Sequence, residues 1–223
     1  MGFEMIWPSL VCMTFAVGLV WAEYRGKRRE QWLFKPMAAA FFIIQAGMIG
    51  PFGEPYGRFI FAGLILSALG DLLLLPRDKS LALKAGMLAF GLAHVAYICG
   101  FIWFPIYDLS PLTVVGAVIT FALVTGVWLW AHFRFPGEHE LSVMLYAPVI
   151  GTMVASAFHV ADRALPIWIV AAALMFAVSD LFVARDRFVV REPRNNLIIT
   201  PLYFGAQCLF ALSIAAAGPG GAG

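Results

Sequence analysis

Eight stretches of this sequence are apolar for close to the about 20 residues that a helix needs to cross a hydrocarbon core. They run roughly over 6–23, 36–50, 56–75, 81–104, 112–133, 141–160, 165–184 and 197–217. The second is short and can extend back to Trp32. The connections between them are brief and carry Pro or Gly, as in Pro51-Phe52-Gly53, Pro105, Pro111, Pro136-Gly137 and Pro193. No soluble domain fits between the runs. The pattern predicts an all-α polytopic membrane protein of eight transmembrane helices. It forms a single transmembrane domain over 1–217, followed by a Gly-rich tail over 218–223 expected to be disordered.

The distribution of Lys and Arg sets a direction. Of the 15 basic residues, all but Arg58 and Arg163 fall on alternate connections. Basic connections face the cytoplasm, so both termini are expected outside. A bacterial inner membrane is the expected location. The net charge of +2 gives no footprint for nucleic acid. Cys12, Cys99 and Cys208 lie far apart in apolar runs, which is neither a disulfide framework nor a zinc pattern. They read as small core or lipid-facing residues. The first run has Glu4 before it and its basic cluster after it, the reverse of a signal peptide's charge order.

Against this apolar background two segments repeat one idea. Gly70-Asp71-Leu72 closes the third run and Ser179-Asp180-Leu181 closes the seventh, and each run then leaves through an Arg-Asp pair. An aspartate at the centre of a spanning helix costs about 2.5–3.5 kcal/mol on insertion scales. The two acids are 109 residues apart, nearly half the chain, with four spans between equivalent helices. This suggests a four-plus-four parallel duplication, with halves about 1–110 and 111–217, and a site between them. Asp71 lies six residues before Arg77, about 9 Å from that end, and Asp180 five before Arg185, about 7–8 Å in. The site is therefore expected to open towards the cytoplasmic side.

Other polar residues fall in the same layer. Lys35 opens the second run, Tyr146 is about two turns into the sixth, and Thr200 and Tyr203 are in the eighth, with Asn195 and Asn196 at its mouth. His94, Tyr97 and Gln207 lie deeper. His159 and Glu54 belong to the far side. Asp78 and Asp186 read as solvated loop partners of arginines, and His132 and His139 as surface residues flanking a turn. Each layer residue also has a plain structural use. Tyrosines anchor at interfaces, a terminal Lys snorkels, and a lone His bonds a neighbouring helix. The paired acids are harder to explain that way, because intramembrane ionisable groups are functional by default.

Two carboxyls facing one cavity cannot both ionise cheaply, so one stays protonated and the other charged. Such a pair suits cleavage through an oxocarbenium-like state, in which one group gives a proton and the other steadies the cation or activates water. No Ser-His-Asp order, G-x-S-x-G or H-E-x-x-H supports ester or peptide hydrolysis. No cofactor is called for. No His/Cys/carboxylate cluster marks a catalytic metal, although two aspartates with His94 leave metal binding open. A proton-coupled transporter remains the alternative, since repeats and intramembrane acids are also transporter traits. A non-catalytic lipid-binding protein is a third.

Several segments together resemble the lysoplasmalogenase (YhhN-like) transmembrane family. These are Lys35-Pro36, Gly70-Asp71, Phe90-Gly91-Leu92-Ala93-His94-Val95-Ala96-Tyr97, Leu145-Tyr146-Ala147, Ser179-Asp180-Leu181 with Arg187-Phe188, and Tyr203-Phe204-Gly205-Ala206-Gln207. The resemblance covers about 35–212, and the first run carries none of it. Asp186 is an addition to the family's pattern. The resemblance implies an eight-helix hydrolase that cleaves the vinyl ether of single-chain lysoplasmalogens to a fatty aldehyde and a glycerophospho-base. Its paired aspartates map onto Asp71 and Asp180. It further implies that Lys35, with cytoplasmic arginines, holds the phosphate and that Tyr203 and His94 orient the carboxyls or the water. The alkenyl chain is expected in an apolar slot between the halves, past aromatic residues of the third and fourth spans. Which aspartate is the acid stays open, as does the oligomeric state.

Overall fold

A computed structural model describes residues 3–76, 79–104, 110–134, 138–161 and 164–217, without the side chains of residues 138 and 139. Arg77, Asp78, Pro105, Pro136, Gly137, Arg163, the His139 side chain and the 218–223 tail lie outside the described residues. Eight helices carry the fold: α1 (Phe3–Tyr24), α2 (Arg28–Ile49), α3 (Pro55–Leu74), α4 (Ser80–Phe101), α5 (Pro111–Arg134), α6 (Glu138–Ala161), α7 (Trp168–Phe188) and α8 (Pro193–Ala216). All eight are long and apolar enough to cross a membrane. In hydrocarbon every backbone polar group needs an internal partner, and a helix supplies one within its own segment. The chain is an integral membrane protein.

Local chemistry sets the ends. Pro55 and Pro193 open α3 and α8 in the first turn, where a missing N–H costs nothing. Gly50 closes α2 with φ 94°, a left-handed cap whose N–H returns to the Ala46 carbonyl. Two helices differ from the apolar runs in ways that matter for the site. α2 begins at Arg28, so Lys35 does not open the span but sits seven residues, about 10 Å, inside it. α7 continues to Phe188, so Arg185, Asp186 and Arg187 form its last turns instead of leaving through a loop. Helical geometry there is held from outside: Asn195 on α8 accepts from Arg185 and donates to Asp186 Oδ1 at 2.9 Å. Asp186 is therefore a packed partner, not a solvated loop residue.

Consecutive helices pair as hairpins, α1 with α2, α3 with α4, α5 with α6 and α7 with α8. α8 also packs against α1, α2 and α3, while α6 joins α4 to α7. Pro148 and Pro201 lie inside continuous helices. Glycines mark the close approach of α3 and α4. A Cβ on Gly63 would stand 2.3 Å from the Tyr97 ring, and one on Gly70 would stand 2.6 Å from the Phe90 ring. Gly63→Ala should therefore overpack this seam and cost about 1–3 kcal/mol, read as a lower melting temperature of the purified protein in detergent. An unchanged midpoint would show that the seam can relax.

The core between the helices is aromatic. Phe176, fully buried, lies within 6.3 Å, ring to ring, of Phe90, His94, Tyr97, Tyr203 and Phe210. These rings fill the space behind the two aspartates and fix the side chains that face them. Cys12 and Cys208 are buried and Cys99 is half-buried, all as free thiols.

Candidate active site

One cavity runs between α2, α3, α7 and α8, with α4, α5 and α6 closing its sides, and both Asp71 and Asp180 are in its wall. It spans about 1520 Å³ with its open mouth and the solvent there included. Its lining is mixed: Glu23, Gln31, Lys35, Arg187, Asn196 and Thr200 are polar, while Leu74, Met87, Leu123, Val127, Val143 and Ile150 are apolar.

Asp71 is 2% exposed and has a partner for each oxygen. Lys35 Nζ lies 3.0 Å from Oδ1, and the Tyr203 hydroxyl donates to Oδ2 at 2.6 Å. A cation and a donor thus give this nearly buried carboxyl a partner on each side. The displaced start of α2 is what makes this contact. Lys35 is inside the helix, 20% exposed, and reaches across to α3 instead of outward.

Asp180 is arranged differently. Its Oδ2 lies 3.4 Å from His94 Nε2, and neither atom has a hydrogen-bond partner among the described residues. His94 Nδ1 is 2.7 Å from the Phe90 carbonyl oxygen. A carbonyl only accepts, so that bond assigns the ring proton to Nδ1 and leaves Nε2 of a neutral ring bare. A bare imidazole nitrogen thus faces a carboxyl oxygen, two acceptors whose approach is favourable when one of them carries a proton. Tyr146, whose ring packs edge-on against His94 at 5.6 Å, brings its hydroxyl to 3.4 Å from Nδ1. The two acids thus have different surroundings: Asp71 is paired with a cation, and Asp180 abuts an imidazole.

Of the residues placed in this layer by sequence, Lys35, Asp71, Tyr146, Asp180, Thr200 and Tyr203 line the cavity. His94 is fully buried directly behind Asp180. Tyr97 and Gln207 are elsewhere. The Tyr97 hydroxyl donates to Gln207 Oε1 at 2.6 Å, while Ser67 Oγ lies 3.3 Å from the Tyr97 hydroxyl and accepts from Gln207 Nε2 at 3.3 Å, and this buried triangle ties α3, α4 and α8 together outside the cavity. His159 and Glu54 are not in the cavity wall, as their position on the far side implied. Other polar residues line the cavity too, among them Glu23 and Gln31, which went unforeseen as site groups, and Arg187, one of the cytoplasmic arginines. Glu23, at the end of α1, accepts from Thr200 Oγ1 at 3.4 Å. Gln31 lies in the first turns of α2 and is 5% exposed. Arg187 donates to the Leu74 carbonyl at 3.1 Å, bridging the ends of α7 and α3 beside the cavity. Among the described residues no three His, Cys, Asp or Glu side chains are grouped as metal ligands.

Comparison with known proteins bears on what such a cavity does. The YhhN family matches residues 30–214. The chain is 28% identical over 182 residues to the lysoplasmalogenase TMEM86A of Bos taurus, covering 77% of this chain and 71% of that protein. It is 28% identical over 188 residues to a lysoplasmalogenase of Mycobacterium bovis, covering 82% and 68%. It is 31% identical over 142 residues to the membrane protein YhhN of Escherichia coli O157:H7, covering 59% and 63%. No solved structure matches the chain.

Proposed function

The chain belongs to the YhhN family, and from that premise we propose that it is a membrane-embedded hydrolase that cleaves the vinyl ether of lysoplasmalogen-like single-chain phospholipids. Relatives that carry the lysoplasmalogenase name support the hydrolase reading in general. The observation that carries the finer reading is the unequal pair: Asp71 held by Lys35 and Tyr203, Asp180 facing His94 Nε2 at 3.4 Å.

The chemistry follows from that inequality. Asp180 delivers its proton to the outer vinyl carbon, and the former double-bond electrons form the new C–H bond. The carbon attached to the ether oxygen becomes an oxocarbenium ion. Asp71, already charged, lies on the same cavity and lowers the energy of that cation. Water adds to the cationic carbon and its proton passes to a carboxylate. The hemiacetal collapses to a fatty aldehyde and a glycerophospho-base, with one water consumed. His94 would hold Asp180 in place and return a proton to it. Lys35 and Arg187, among the polar lining residues, suit the phosphate. Tyr97 and Gln207 take no part in this scheme except through the packing of α3, α4 and α8.

The paired hairpins also support an ancestral four-plus-four duplication. Under it α3 corresponds to α7 and α4 to α8. The packing of α4 on α6 then corresponds to that of α8 on α2, and α2 on α3 to α6 on α7. In the charge-based orientation both termini lie outside and the site faces the cytoplasm.

The test is chemical. Purified protein in detergent, with no gradient, should release aldehyde from a synthetic lysoplasmalogen. Uptake of the same lipid into proteoliposomes without any aldehyde would instead establish a transporter.

A further inference from the structure

A second groove lies beside the active-site cavity, between α5 and α7, lined among others by Leu123, Gly126, Val127, Leu181, Phe182 and Arg185. Leu123, Val127 and Leu181 line both this groove and the main cavity, so the two adjoin. Leu181 directly follows Asp180, which puts the junction beside the acid. α5 is the least buried of the eight helices and makes its extensive contacts with α6. It meets α7 near the helix ends, where Ala131 and Val143 gather Trp130, Phe188 and Val189 around them. That cluster closes one end of the gap. Ala122, Gly126 and Leu181 remain exposed alongside it, on helices that span the membrane. Gly126 has no atom within 4 Å of where its Cβ would stand, so the space there is open, in contrast to Gly63 and Gly70.

We infer that the groove between α5 and α7 is a lateral portal through which the aliphatic chain of the substrate enters from the lipid and in which it lies during reaction. The occupant is a single hydrocarbon chain, because the groove is apolar over Leu123, Val127, Leu181 and Phe182 and adjoins the carboxyl cavity across three shared residues. This places the chain beside α5 and α7, not along the aromatic face of α3 and α4, where Phe90, Tyr97 and Phe176 already fill one another's space. A lipid entering sideways never has to draw its chain through water, whereas its head stays at the polar lining residues. The inference rests on the hydrolase reading.

Gly126 supplies the test, since a large side chain there meets open space and also improves helix propensity. Two lysoplasmalogen analogues with one head group are compared on purified protein, one with a hexadecenyl and one with a butenyl chain. Gly126→Trp should lower the hexadecenyl-to-butenyl ratio of kcat/KM by about tenfold or more. Phe121→Ala, on an exposed part of α5 outside the groove, should leave that ratio as in the wild type. An unchanged ratio in folded Gly126→Trp, or equal loss on both substrates, overturns the portal. Independently of that variant, a lysolipid with a photoreactive group at its chain terminus should label α5 or α7 of the wild-type protein. Labelling confined to α3 and α4 overturns the portal. If the wild type hydrolyses neither analogue, the hydrolase reading fails, while photolabelling still decides where the chain lies.

Discussion

Asp180→Asn, folded and purified, is expected to release aldehyde about 10²–10⁴-fold more slowly than wild type, the span that positioned proton transfer usually contributes. The amide is nearly isosteric, so Phe176, His94 and Leu181 keep their places, but it has no acidic proton for the vinyl carbon. Asn can donate an N–H to His94 Nε2, so the 3.4 Å approach of Nε2 and Oδ2 keeps a hydrogen between its two heavy atoms. The variant should therefore be about as stable as wild type. A loss of turnover at an unchanged melting temperature is the pattern of a group kept for chemistry. Loss of both would instead mark Asp180 as structural.

Lys35→Met carries the second large effect. Removing one member of a buried ion pair leaves the other uncompensated, which costs about 3–5 kcal/mol. Lys35 is 20% exposed while Asp71 is 2% exposed, so the lower end of that range applies. The melting temperature in detergent should fall clearly, and aldehyde release should fall with it. The double variant Lys35→Met with Asp71→Asn separates the two consequences. With no charge left to strand, most of the stability should return, because the two residues act on one interaction. Activity should not return. A double variant as unstable as the single would mean that Lys35 contributes packing and not charge compensation.

How far these residues were legible beforehand follows from what helical spacing contains. Asp71, Asp180, Lys35 and Tyr203 could be found because a charge or hydroxyl in an apolar run stands out, and because rise per residue gives depth. Depth does not give azimuth. Tyr97 and Gln207 were placed deeper than Lys35 and Tyr203, and they turned out to face each other and Ser67, off the cavity. His94 was placed near mid-membrane, yet α4 presents it to Asp180 at 3.4 Å. That pairing depends on how α4 and α7 pack around Phe176, for which spacing within one helix carries no signal. Helix ends were the other source of error. Arg185, Asp186 and Arg187 look like a loop because they are charged, but Asn195 ties two of them to α8 and α7 runs on to Phe188. Glu23 looked like the terminus of a span and proved to be part of the cavity wall. α1 lies outside the residues matched by the family, so the resemblance gave no reason to look there. A Glu two residues before the basic cluster at the end of a span was the available clue.

The proton's route is the centre of the proposed chemistry, and one measurement addresses it directly. Wild-type and Asp180→Asn proteins are given a lysoplasmalogen in deuterated water, and the aldehyde is trapped by reduction as it forms and weighed by mass spectrometry. Expected from the wild type is a product carrying one deuterium on the carbon next to the former aldehyde, with next to none formed by Asp180→Asn. Aldehyde released by Asp180→Asn at the wild-type rate, or wild-type product without that deuterium, would contradict proton delivery from Asp180 to the vinyl carbon.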